Sequence, residues 1–90
     1  MAVPVRVFEM SGVDIKASDI KIDTERFKVG LPRHGDRIVV TVNEQTVGYE
    51  VVATYFAVSA DARKPCEPTI LIARRHMTKP ELSMFEAVAA

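Results

Sequence analysis

Apolar and polar residues alternate along most of this chain, and a period of two is typical of β-strands that bury one face. The alternation predicts about five or six antiparallel strands, in the segments 3–8, 13–17 with 20–23, 27–31, 37–43, 47–59 and 69–73. Proline and glycine punctuate the segment 32–36, which predicts a turn in which the Asp36 carboxylate accepts backbone hydrogen bonds.

Segment 14–26 is compatible with two structures. A helix would use Asp14 or Ser18 as its N-terminal cap. Strand is favoured, because isoleucine and valine recur two positions apart and the segment is poor in good helix formers.

The run 37–59 is the densest in β-branched and aromatic residues, and it predicts a β-hairpin with long arms broken by the polar segment 44–46. Both faces of the second arm are largely apolar. One face is expected to carry Tyr49, Val51, Ala53, Tyr55 and Ala57, and the other Val52, Thr54, Phe56 and Val58. Such a long apolar strand is expected to bend and to place Tyr49 and Tyr55 in the core.

A short helix over 79–89 is predicted at the C-terminal end. Thr78 is a suitable cap, Pro80 suits the first turn, and Glu81 lies three residues after the cap. Leu82, Phe85 and Val88 form one apolar stripe, with Met84 beside it. The helix is too short to be stable alone, so it must dock on the sheet or on a partner.

These elements predict one small, mainly β domain over 1–90, an antiparallel barrel or sandwich with a short C-terminal helix. An SH3-like arrangement is favoured over an OB-like one, because the sequence leaves no room for a helix between the third and fourth strands.

Composition excludes several classes of function. The chain has 12 basic and 12 acidic residues, so net charge provides no general attraction to nucleic acid or to acidic lipid. The single cysteine, Cys66, forms no internal disulfide, and no signal-peptide or membrane-spanning pattern is visible. A cytoplasmic location without membrane association is expected.

The sequence predicts neither an enzyme nor a cofactor. Cys66 with His34 or His76 is the minimal pair for a thiolate nucleophile, but Cys66 lies between two prolines without a catalytic flanking pattern. No closely spaced ligand pair predicts a metal site. The four glycines are scattered, so no phosphate-binding loop is predicted.

Two kinds of binding surface are predicted instead. Protein association would use an open edge at Val3 and Val5, or the helix residues Leu82, Met84 and Phe85. The alternative is nucleic-acid binding, if the basic loops converge on one rim. That set consists of Arg33, His34, Arg37, Arg63, Lys64, Arg74 and Arg75. A small inhibitor that blocks a larger enzyme is a third possibility and uses the same surfaces as the first.

Two motifs suggest a family. The Gly35-Asp36 turn followed by an apolar strand, together with Tyr49-Glu50-Val51-Val52, resembles small bacteriophage head–tail connector and tail-completion proteins. The resemblance spans roughly half of the chain. It implies a phage-encoded, non-catalytic assembly protein that forms rings or binds a ring of partners, located in the host cytoplasm or the virion. It carries over no catalytic residues. The proline-containing loop around Cys66 and the capped helix depart from that pattern.

Overall fold

The computed structural model contains a six-stranded mixed sheet and a C-terminal helix. It describes residues 3–27, 30–61, 63–64 and 66–89, with the side chains of all these except 26, 42 and 86–89. The strands are β1 (Pro4–Ser11), β2 (Asp14–Ala17), β3 (Ile22–Asp23), β4 (Arg37–Val42), β5 (Gln45–Ala57) and β6 (Glu67–Arg75), and the helix is α1 (Lys79–Ala89). The predicted mainly β class, the strand number and the short C-terminal helix are confirmed.

The sheet is mixed, so the prediction of a wholly antiparallel sheet is wrong. Its order is β2-β1-β6-β5-β4, with β3 also paired to β1. β6 enters between β1 and β5, and it runs parallel to β1 and antiparallel to β5. Within the described residues no pairing joins β4 to β2 or β3, so the sheet is not closed. The preference for an SH3-like over an OB-like arrangement stays a prediction.

Strand β1 is central, so the predicted open edge at Val3 and Val5 is wrong. β6 pairs with one side of β1, and β2 and β3 pair with the other. Val5 is only 6% exposed and belongs to the core. Val3 is held by Thr24, whose Oγ1 accepts a hydrogen bond from the Val3 N–H at 3.0 Å. Within the described residues, the open edges are instead those of β2 and β3 on one side of the sheet and of β4 on the other.

Two-residue turns close both hairpins. Gly12, with φ +62°, begins the β1–β2 turn, where a type II′ geometry favours glycine. The β4–β5 turn uses Asn43 and Glu44, both with positive φ, as a type I′ turn requires. β5 therefore starts at Gln45, inside the segment that had been predicted as the polar break.

The segment 14–26 is not an α-helix. It forms β2 and β3, followed by a single 3₁₀ turn at Thr24–Arg26. The strand predicted at 27–31 is not observed at Phe27, Gly30 and Leu31, and residues 28 and 29 lie outside the described chain. Gly30 has φ +105° and donates its N–H to the Phe27 carbonyl, so the backbone turns here instead of extending.

A β-bulge at Val52 changes the face assignment along β5. Val51 pairs with Ile72, but the next paired residue, Ala53, lies opposite Leu71. The extra residue reverses the alternation. In the second half of β5 the odd-numbered side chains therefore lie on one face of the sheet, and the Val51 side chain lies on the other. Tyr49 is 7% exposed, as predicted for a core residue, whereas Tyr55 is 55% exposed and its predicted core position is wrong.

The core lies on one face of the sheet. Val51, Ile70 and Ile72 are the largest fully buried side chains, and Val5, Val7 and Tyr49 surround them. Partly buried residues from the margins complete this cluster: Ile20, Ile22, Leu31, Ile38, Val40 and Val47. No polar or charged side chain is buried in the described part of the chain, so the core is held by apolar packing.

A matched pair of substitutions tests this assignment. Val51→Ala removes two methyl groups from a fully buried site, and we expect it to lower the free energy of unfolding by about 2 kcal/mol. Val58→Ala makes the same change at a side chain that is 75% exposed, and we expect little effect. Urea denaturation measures both, and equal losses would contradict the core described above.

Candidate functional site: a cleft between the helix and the sheet

The start of α1 is the best-defined local feature of the site. The Thr78 N–H donates to Glu81 Oε1 at 3.1 Å, and the Glu81 N–H donates to Thr78 Oγ1 at 3.4 Å. This reciprocal pair is the capping box that the sequence predicted, and it satisfies backbone donors that the first helical turn would otherwise leave free. It fixes where the chain leaves the sheet and where the helix begins.

Two contacts place α1, and the segment 76–78 that connects it to β6, beside β4 and β5. Arg37 on β4 lies 3.5 Å from the carboxylate of Glu81 on the helix. Met77 lies directly over Gly48 of β5, where an added Cβ would be only 2.6 Å from the Met77 side chain. Glycine at position 48 allows this close approach, and a larger residue there would displace the Met77 side chain.

The helix does not close completely onto the sheet, and a cleft of about 670 Å³ lies between them. Its apolar lining comes from Ile38, Val39, Gly48, Tyr49, Met77, Met84 and Phe85. Met84 is 61% exposed, while Leu82 and Phe85 are half-buried. Of the three predicted partner-binding helix residues, the structure thus brings Met84 and Phe85 to one cleft, and Leu82 is not part of its lining.

Charged groups of both signs border the cleft. Arg75 donates a hydrogen bond to Glu50 at 2.7 Å, and this bond with the Arg75 charge lowers the pKa of the Glu50 carboxyl below its usual value of 4.5. Hydrogen bonds from the backbone and side chain of Thr78 lower the pKa of Glu81 in the same direction. Both carboxylates are ionised at neutral pH, so the rim carries two acid–base pairs and little net charge.

The basic residues proposed for nucleic acid do not all converge. Arg37, Arg75 and His34 lie near Glu50, and His34 is also hydrogen-bonded to the Val52 carbonyl at 2.7 Å. Arg63 and Lys64 follow the C-terminal end of β5. That end lies roughly 30 Å along the strand from Gly48, the residue of β5 that pairs with Arg75.

Several of these cations are also engaged by other groups. Arg63 contacts Asp61 at 3.2 Å. The Arg74 guanidinium lies 5.9 Å from the centre of the Tyr49 ring, on the core face. Arg33 belongs to the predicted turn, which is confirmed, since its N–H donates to Asp36 Oδ2 at 2.9 Å.

The residues considered for nucleophilic or metal chemistry are also separated. Cys66 is exposed before β6 and His76 follows β6, so the length of that strand, roughly 30 Å, lies between them. Among the described residues, no group of three or more histidine, cysteine, aspartate or glutamate side chains is placed to hold a metal ion.

The sequence predicts the cleft residues on the helix but not those on the sheet. Val39, Gly48 and Met77 carry no motif, and only the pairing of β4 with β5 brings the first two together at register positions. The lone glycine inside an apolar strand was the available signal, because such a glycine often marks a close approach.

Comparisons with known proteins add no relatives. No family model matches the chain, and neither a curated protein nor a solved structure matches it. Within the part of the chain that the structure describes, no helix combines the length and apolar character needed to cross a bilayer.

The capping box gives a pH-dependent prediction. Because hydrogen bonds hold the folded pKa of Glu81 below 4.5, its contribution to the helix is fully present above pH 4.5 and is lost as the pH falls through the lowered pKa. Glu81→Ala should reduce helix content at pH 7. Glu81→Gln should retain most of the helix and remove this titration, because the amide keeps an oxygen acceptor and does not ionise.

Backbone chemical shifts of residues 79–84, followed from pH 7 to pH 3, measure the effect in both variants. A Glu81→Ala protein with unchanged shifts at pH 7 would show that the box does not hold the helix start.

Proposed function

We propose that this chain is a non-catalytic protein–protein interaction module whose helix–sheet cleft binds apolar side chains of a protein partner. The observation that carries the proposal is the cleft itself, an apolar volume left open between α1 and the sheet and bordered by charges of both signs. Docking into an apolar groove with a polar rim is a recurrent mode of protein recognition.

The chemistry of the lining favours a protein segment as the occupant. Two of its apolar residues, Met77 and Met84, have unbranched and polarisable side chains that adapt to different shapes. The rim pairs, Arg37 with Glu81 and Arg75 with Glu50, present both donors and acceptors to a partner backbone. A purely anionic ligand would meet the two carboxylates as well as the guanidinium groups.

An assembly role fits the same surface. The Gly35-Asp36 and Tyr49-Glu50-Val51-Val52 motifs resemble phage connector proteins, whose function would be to join neighbouring subunits without catalysis. Under this proposal the motifs build the scaffold: Asp36 closes the turn before β4, and Val51 lies in the core. The contact with a neighbour is made by the helix and the exposed margin of the sheet.

Selection of peptides from a displayed library tests the cleft directly. We expect peptides rich in apolar residues to be selected and to shift the methyl signals of Met77 and Met84 in NMR spectra. Met84→Glu places a charge in the cleft and should weaken binding by about tenfold or more, equivalent to about 1.4 kcal/mol. Val58→Glu is the control, because Val58 is 75% exposed and is not among the cleft residues.

Two results would contradict the proposal. Peptides that bind Met84→Glu as well as they bind the wild-type chain would place the site elsewhere. Failure to select any peptide above background would remove the cleft as a peptide-binding site.

The rival function, nucleic-acid binding, predicts a different result. Because the basic groups lie at opposite ends of β5 and several are paired, we expect titration with single- and double-stranded oligonucleotides to show no binding, even at low salt. A salt-sensitive affinity that falls in Arg63→Ala and Arg33→Ala would establish the rival instead.

A further inference from the structure

The outer edge of β2 has a self-complementary sequence. Its sequence with the preceding turn residue is Val13-Asp14-Ile15-Lys16-Ala17, in which apolar residues alternate with one acid and one base. Val13 is 98% exposed and Ile15 is 57% exposed. In the described part of the chain, β2 pairs with β1 on one side and with no strand on the other.

The backbone direction shows which groups are available on that edge. The Ser18 N–H donates to the Val7 carbonyl at 2.9 Å, so it points toward β1. N–H and C=O groups alternate in direction along an antiparallel strand, and those of Ile15 and Ala17 therefore point away from β1. These groups can pair with another strand.

We infer that β2 is a homodimerisation edge, which pairs antiparallel with β2 of a second copy about a twofold axis that passes between the two Ile15 residues. In this register Ile15 lies opposite Ile15 of the other copy, with their outward backbone groups hydrogen-bonded. Val13 lies opposite Ala17. Asp14 of each copy lies opposite Lys16 of the other, which gives two ion pairs related by symmetry.

Charge complementarity identifies the occupant as a second copy of this chain. A lysine on an exposed edge normally opposes strand addition, because it meets an apolar or basic neighbour. Here the register centred on Ile15 places a carboxylate opposite each lysine. Registers displaced by two residues lose both of these pairs and place Asp14 opposite Asp14 or Lys16 opposite Lys16. The same two charges therefore favour one register and disfavour its neighbours.

The other open edge lacks this property. For β4, the equivalent pairing about Val39 places Arg37 opposite Thr41 of the second copy, and β4 contains no acid. Arg37 is already within 3.5 Å of Glu81. The two ends of the sheet therefore differ, and only β2 is self-complementary in charge.

The inferred dimer is separate from the proposed cleft, which lies at the opposite end of the strand order. A substitution can therefore disrupt dimerisation without affecting binding at the cleft, and the reverse is also true. Because β2 contains only four residues, the contact is small and a weak dimer is expected.

Charge reversal tests the inference. Sedimentation velocity from about 10 μM to about 1 mM covers the range of a weak dimer and should show wild-type chain moving from the 10.0 kDa monomer toward twice that mass. Asp14→Lys and Lys16→Asp each replace two attractive pairs with two repulsive ones, and we expect the dissociation constant to rise by about tenfold. The double variant, Asp14→Lys with Lys16→Asp, restores both pairs and should dimerise like the wild-type chain.

Lys64→Asp is the matched control, since it makes the same charge change in an exposed loop and should leave dimerisation unchanged. Hydrogen exchange adds a local readout: the Ile15 and Ala17 amides should become protected as the concentration rises. A monomer at all concentrations would overturn the inference. So would single variants that dimerise like the wild-type chain, or a double variant that does not recover.

Discussion

The insertion of β6 between β1 and β5 is the constraint on which the rest of the structure depends. Ile70 and Ile72, both fully buried, lie between Val7 of β1 and Val51 of β5. Without this strand, the N-terminal hairpin and the β4–β5 hairpin share no core, and isolated hairpins are marginally stable. Since β6 pairs in parallel with β1 from the far end of the chain, formation of the core requires long-range contacts.

The same constraint places both proposed binding surfaces at the margins of the sheet. Because the central strands β1, β6 and β5 carry the core, the outer strands and the helix carry what is exposed. The cleft uses β4, β5 and α1 at one end of the sheet, and the β2 edge lies at the other. Under the two proposals, the chain forms a dimer through β2 and each copy still binds a partner at its cleft, as a component of a larger assembly would.

Features determined by neighbouring residues were predictable from the sequence. The capping box depends only on Thr78 and Glu81, three positions apart, and the Asp36 turn depends on one carboxylate and a nearby N–H. The capping box was predicted with both partners, and the turn was predicted with Asp36 as the acceptor of backbone hydrogen bonds. The helix side of the cleft followed in the same way, because the apolar positions of a short helix are evident from its periodicity.

The sequence by itself determined the mainly β class, the β4–β5 hairpin and the capped helix, because these depend on local alternation, turn conformations and side-chain hydrogen bonds. The tertiary structure alone decided that β1 is central, that the sheet is mixed and that Tyr55 is exposed while Tyr49 is buried. The physical reason is strand pairing. An edge becomes central when a distant strand hydrogen-bonds to it, and the bulge at Val52, visible only against β6, exchanges the two faces of β5.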